Sequence, residues 1–321
     1  MSDAIEIAVK PTLEQVREAA AKMRNVVIHT PLVPLRRSDR YPDILLKPEI
    51  HQAVGSFKLR GVYNAAASMT DKERQRGLST VSAGNTAQAV AWCGRYFGVP
   101  ARSVMPDNAP QTKIEAVEAF GATPVLVPSD ELFRYMREHG WEQETYSFIH
   151  PWTDARVMTG HGSMALEIFQ DCPDVETVFV PVGGGGLIAG VASTLKQLNP
   201  GIRIVAVEPD ECCALYASFR SKRAVAWPCQ TMSDGVAVPY LTPEMYPLLR
   251  EVVDEVALVS EYDTMQAIRQ LAIENKMVVE GAGALATAAA MAYPAEGRGL
   301  SVAIVTGGGI DIDKFITIMQ S

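Results

Sequence analysis

Four consecutive glycines, Gly183 to Gly186, stand between an apolar β-branched run, Thr177-Val-Phe-Val-Pro-Val182, and a helix-compatible run, Leu187 to Leu198. Glycine loses the most backbone entropy on folding, so four in a row carry a cost that needs a reason. A tight strand-to-helix turn is one reason. The other, which we favour, is a ligand that approaches the backbone closely: bare N–H groups at a helix N-terminus bind anions, and a phosphate is the usual occupant. Three further segments could do chemistry. Gly55-Ser-Phe-Lys-Leu-Arg-Gly61 places Lys58 near the start of an apolar helix. A lysine is most often a solvated surface group. At a helix N-terminus, however, the dipole opposes its charge and lowers its pKa, as a Schiff-base or proton-abstracting lysine requires. Ser82-Ala-Gly-Asn85 offers small residues and free N–H groups at a helix start, suited to a carboxylate or simply to a helix cap. Val305-Thr-Gly-Gly-Gly-Ile310 ends a strand with a hydroxyl and three glycines.

The glycine run also admits a competing reading. Gly184-x-Gly186-x-x-Ala189, with Glu208 closing the strand Ile202 to Val207 about 20 residues on, loosely satisfies a dinucleotide fingerprint and would suit an NAD-dependent oxidoreductase. Such a fingerprint is weak alone. No Gly-Lys-Ser/Thr follows the glycines, so a P-loop is not supported.

The elements that must position these residues alternate. Strand-like runs recur at 43–47, 78–82, 102–105, 123–127, 175–182, 203–207 and 301–305. Helical patterns lie at 86–97, 111–120, 131–139, 158–169 and 261–275, and Thr12-x-x-Gln15 reads as a capping box opening a first helix. This predicts an α/β fold with parallel sheets covered by helices, whose ligand sits outside the carboxyl ends of the strands. At 321 residues the chain is long enough for two lobes, and the absence of a linker or low-complexity tract makes them compact. A net charge of −8 gives no electrostatic basis for binding nucleic acid or anionic membrane. Nothing reads as a signal peptide or membrane span. Five cysteines without C-x-x-C spacing suit reduced thiols, and five histidines show no metal-ligand spacing, so no metal is expected.

Taken together, Ser-Phe-Lys58-x-Arg-Gly, Ser-x-Gly-Asn at 82–85, Gly-Gly-Gly-Gly-Leu at 183–187 and Thr-Gly-Gly-Gly at 306–309 resemble the threonine/serine dehydratase and serine racemase group. Asp107-x-Ala-Pro-x-x-Lys113 and Ser233-Asp-Gly-Val236 are similar to the same group. The resemblance spans nearly the whole chain and displaces the NAD reading. It implies a tryptophan synthase β-like (fold type II) pyridoxal-phosphate enzyme: two α/β lobes with parallel-rich sheets and the cofactor between them. Residues 1–66 and 150–321 would form a large cofactor-binding domain and 67–149 a small substrate-carboxylate domain. The resemblance also implies roles. Lys58 would hold pyridoxal 5′-phosphate and remove the substrate Cα proton. Gly183, Gly184, Gly185, Gly186 and Leu187 would cradle the phosphate, and Asn85 would bond the 3′-oxygen. Thr306 would meet the pyridine nitrogen, Phe57 would pack on the ring, and Gly235 and Glu280 would line the pocket. Ser82, Ala83, Gly84, Asn85 and Thr86 would receive the substrate carboxylate.

Departures from the group narrow the expectation. A hydroxyl at Thr306 does not hold the pyridine nitrogen protonated as an aspartate would, which favours β-elimination, where the leaving group takes the electrons. Racemases carry a serine as proton donor where this chain has Ala83, so elimination should outrun racemisation. The group's usual histidine is Thr86. Its cation site would fall on Glu208, the Cys212 carbonyl and Ala214, which lacks a side-chain oxygen. Where racemase-like relatives place an arginine for a distal carboxylate, Phe133 aligns; with Trp152 and Val238 it would favour an apolar β-substituent, as a threonine or an aryl-serine carries. The expected protein is a cytoplasmic, homodimeric ammonia-lyase (dehydratase) that converts a β-hydroxy-α-amino acid to a 2-oxo acid and ammonia. A racemase of the same fold, or a cofactor-free binding protein that kept it, are the alternatives.

Overall fold

The computed structural model describes residues 7–36 and 43–321. Among them ten strands form two sheets: β1 (Val33–Pro34), β2 (Ile44–Pro48), β3 (Leu78–Val81), β4 (Ala101–Pro106), β5 (Thr123–Val127), β6 (Ser147–Phe148), β7 (Thr177–Pro181), β8 (Arg203–Pro209), β9 (Glu255–Val259) and β10 (Ser301–Val305). The larger sheet runs β1-β2-β10-β7-β8-β9 and the smaller β5-β4-β3-β6. Every pairing is parallel except β1 with β2, the two-residue edge strand.

The central strands of the larger sheet are buried on both faces, which is why they read as continuous apolar runs rather than alternating ones. Val178 and Val180 of β7, Ile204 and Ala206 of β8, and Val302 and Ile304 of β10 enter one core, beneath the helices Ala155–Asp171, Gly186–Leu198 and Met245–Val252. Their alternates, Phe179, Val205, Val207, Ala303 and Val305, enter the core on the opposite face, beneath the helix Gly281–Ala292. A third core surrounds the helices Lys58–Ala67 and Asn85–Phe97 beside the smaller sheet.

The predicted strand runs all become strands, and the capping box at Thr12 forms in both directions. The helix expected over 158–169 starts earlier, at Ala155, because the Asp154 carboxylate accepts the Arg156 N–H at 2.9 Å. The helix expected over 261–275 is α-helical only to Gln270 and closes in a π turn, Leu271–Asn275. The helix Gly281–Ala292 has no legible period, because its Gly/Ala sequence is buried nearly all round. The cysteine expectation is corrected. Cys212 and Cys229 are disulfide-bonded, while Cys93, Cys172 and Cys213 are free and buried. Spacing does not suggest the pair, because it is the return of the chain after the helix Ala214–Ser221 that brings the two thiols together. Among the described residues no helix is long and apolar enough to cross a membrane.

Candidate active site

Lys58 reaches the site because the preceding residues are stitched to the end of β10. The Phe57 N–H donates to the Thr306 carbonyl at 3.0 Å, Ser56 bridges Gly307, and the Gly308 N–H donates to the Gly55 carbonyl at 3.0 Å. The helix that starts at Lys58 is anchored in turn by Arg60, which is 1% exposed. Its guanidinium donates two bonds to Glu49, two to Glu167, one to Ser163 and one to the Ile28 carbonyl. Burial holds the Lys58 pKa down to about 8, although the Glu280 carboxylate pulls the other way. Its Nζ lies 3.4 Å from the Pro151 carbonyl oxygen and 5.1 Å from the centre of the Phe57 ring. Beneath Phe57, at 4.8 Å between ring centres, sits the buried His161. Burial, then the charges of Lys58 and Arg60, hold His161 far below its ordinary pKa, so it is neutral.

The glycine run follows β7 as expected. Gly185 has φ +91°, a conformation that L side chains rarely adopt. A Cβ on Gly184 would lie 2.3 Å from Trp152 Cδ2, and one on Gly186 2.8 Å from the Trp152 backbone, so close approach as well as the turn requires glycine. The first intrahelical bond of the next helix is Ala189 N–H to the Gly185 carbonyl, which leaves the N–H groups of Gly186, Leu187 and Ile188 without helical acceptors. This is an anion cradle at a helix N-terminus. The Ser82–Thr86 loop is equally well fixed: the Ser82 N–H donates to the Val104 carbonyl, Ser103 Oγ to the Ser82 carbonyl, and the Gly84 N–H to Ser82 Oγ. Asn85 begins its helix and donates through Nδ2 to Glu280 Oε1 at 2.8 Å. Burial raises the Glu280 pKa to about 7 against that hydrogen bond.

These segments close on one cavity of about 280 Å³. Phe57, Lys58, Ser82, Ala83, Gly84, Asn85, Thr86, Gly183, Gly184, Gly185, Gly186, Leu187, Gly235, Glu280 and Thr306 all line it, as do Trp152 and Val238. The Phe133 side chain lies outside the described residues. Sequence reasoning missed four contributors. Gln88 lines the cavity one helical turn after Gly84. Lys113 pairs with Asp234 at 2.8 Å, tying the helix Gln111–Ala119 of the smaller sheet's layer to the turn that carries Gly235. His161 and the Glu49–Arg60–Glu167 cluster support Lys58 from below. The Lys113 and Asp234 motifs were visible in sequence, but nothing there joined one to the other.

The dinucleotide reading fails on Glu208. Both of its oxygens accept backbone N–H groups, from Leu215 and Tyr216 at 2.8 Å each, so it caps the helix Ala214–Ser221 instead of facing a ribose. Burial raises its pKa to about 7 against those two bonds. What remains is a lysine of lowered pKa sharing a cavity with an anion cradle and a second small-residue helix start, at the carboxyl ends of parallel strands.

Such a fold and site define a pyridoxal-phosphate enzyme, and the cradle and the lysine fit that cofactor. The chain matches the pyridoxal-phosphate dependent enzyme family over residues 23–307. It is 39% identical over 314 residues to an L-threonine ammonia-lyase of Thermotoga maritima, covering 96% of this chain and 78% of that one. It is 35% identical over 319 residues to the catabolic L-threonine dehydratase TdcB of Staphylococcus aureus, covering 96% and 92%. Among solved structures it is similar to maize serine racemase, with TM-score 0.89, 30% identity and coverage of 97% and 98%. It is likewise similar to the processed form of threonine deaminase isoform 2 from Solanum lycopersicum, with TM-score 0.87, 33% identity and coverage of 98% and 95%. The chain belongs to the pyridoxal-phosphate dependent enzyme family, has the tryptophan synthase β-like fold, and is an ammonia-lyase (dehydratase) with pyridoxal phosphate as cofactor.

Proposed function

We propose that this enzyme converts an L-β-hydroxy-α-amino acid of the threonine/serine type to a 2-oxo acid and ammonia, and accepts a bulkier apolar β-substituent such as that of L-threo-phenylserine. One observation carries the reading: Lys58, the glycine cradle and the Ser82–Thr86 loop share a single cavity. Pyridoxal phosphate, when bound, withdraws electrons from the substrate Cα. The protein does the rest. Gly183 to Leu187 would hold the phosphate through backbone N–H groups. Asn85, oriented by Glu280, would hold the 3′-oxygen, Thr306 the pyridine nitrogen and Phe57 the ring. The Ser82–Thr86 loop takes the substrate carboxylate. Lys58 Nζ removes the Cα proton, and its lowered pKa makes the neutral amine available near neutrality. Ala83 offers no proton on the second face, so loss of the β-hydroxyl outruns racemisation.

Trp152 and Val238 in the cavity wall support the apolar substrate preference. The two sheets support a small lobe over 67–149 that carries the carboxylate loop, with 1–66 and 150–321 as the large lobe. The exposed apolar side chains Ile273, Val278, Ile312 and Ile316 support a homodimer. Sedimentation velocity tests the dimer. Borohydride reduction and peptide mapping should place a pyridoxyl label on Lys58, and a label on another lysine would refute the assignment. Comparing kcat/KM for threo-phenylserine, threonine, serine and threo-hydroxyaspartate tests the pocket: hydroxyaspartate ranking first would overturn it, because Trp152 and Val238 offer a second carboxylate no charge partner.

A further inference from the structure

A second cavity, of about 460 Å³, opens at the other end of the larger sheet. It is built by the three segments that feed β7, β8 and β10, namely 173–177, 199–203 and 296–299. The active site lies at the carboxyl ends of β7 and β10, five residues along each strand, about 16 Å away at strand rise. The segments are pinned to one another. The Arg203 N–H donates to the Glu176 carbonyl at 2.8 Å, Thr177 Oγ1 to the Arg298 carbonyl at 2.6 Å, and the Leu300 N–H to Glu176 Oε1 at 3.0 Å.

Two arginines with unfilled hydrogen-bond donors line this cavity. Arg298 is 2% exposed, its Nε has no hydrogen-bond partner, and its Nη1 reaches only the Gly299 carbonyl at 3.4 Å. Arg203 Nε is likewise unpartnered, while its guanidinium stacks on Tyr293 at 5.3 Å and donates to Thr177 Oγ1 at 3.3 Å. Among the described residues neither forms an ion pair. A guanidinium buried without a partner is costly, and an anion that seats on it removes the cost. The exposed rim carries the opposite sign, with Asp174, Glu176 and Glu296. Glu176 is held in place: a Cβ on Gly299, where φ is +59°, would lie 2.4 Å from its carboxylate. Those three acidic side chains would repel a phosphate, whereas they would attract the ammonium of a zwitterion.

We propose that this cavity binds a free α-amino acid, its carboxylate on Arg298 and Arg203 and its ammonium on Glu176 and the rim. The inference does not depend on which amino acid the active site turns over. It is tested on the cofactor-loaded enzyme with L-alanine, which has no β-leaving group. Calorimetry counts all sites, and the cofactor absorbance reports the active site alone. The expected result is two sites per chain. Arg203→Met and Glu176→Gln, the latter keeping the acceptor for Leu300, each weaken the second site by roughly tenfold or more while turnover and the absorbance titration stay as in wild type. One site per chain, or a second site indifferent to both variants, overturns the proposal. Inorganic phosphate displacing L-alanine from that site at equal concentration overturns the zwitterion class.

Discussion

Arg60→Lys keeps the charge and removes the fork. Arg60 makes six hydrogen bonds, four of them to the carboxylates of Glu49 and Glu167. An ammonium has three donors, so at least three of those six bonds are lost. Glu49 is fully buried, and against that burial it is mainly Arg60 that holds its pKa below the usual carboxylate range. Leaving part of a buried pair unpaired costs about 3–5 kcal/mol. That is a large share of a typical stability of roughly 5–15 kcal/mol. The variant should therefore lose most of its margin in urea unfolding followed by circular dichroism. It should also lose bound cofactor, because Arg60 fixes the first turn of the helix that begins at Lys58. Arg137→Lys serves as control: Arg137 pairs with Glu138, both side chains are largely exposed, and such a change costs less than about 1 kcal/mol. If Arg60→Lys unfolded within about 1 kcal/mol of wild type, the cluster would not be the anchor inferred from its geometry.

Three other outcomes follow. Covalent capture of pyridoxal phosphate by cofactor-free enzyme should speed up as pH rises and level off above about 8, because the neutral amine is the nucleophile; a rate still climbing toward 10.5 would show that Lys58 is not depressed. Gly184→Ala puts a Cβ 2.3 Å from the Trp152 ring, so the indole must move and cofactor retention should fall by roughly tenfold or more, read from absorbance after gel filtration. Ala83→Ser should raise racemisation relative to elimination by chiral chromatography, and wild-type inversion that keeps pace with ammonia release would remove the role given to Ala83.

The local chain determined a good deal by itself. The glycine run, the small-residue loop at 82–85 and Lys58 could be read as chemistry because each depends on nearest neighbours: a strand end, a free helix N-terminus, an absent Cβ. The central strands could be read from their unbroken apolar runs, which two-sided burial requires. Other features depended on distant segments meeting, and these only the tertiary structure decided. Asn85 and Glu280 are 195 residues apart in sequence, and Lys113 and Asp234 are 121 apart. No periodicity encodes such pairs. The Cys212–Cys229 bond and the capping role of Glu208 depend on how the chain returns after the helix Ala214–Ser221. The helix Gly281–Ala292 was hidden because complete burial erases the polar face that would have revealed its period. Nothing in the sequence singled out Arg203 or Arg298; folding buried Arg298 and brought both to one cavity at the amino-terminal ends of the strands, because the three loops there are tied together by their own backbone bonds.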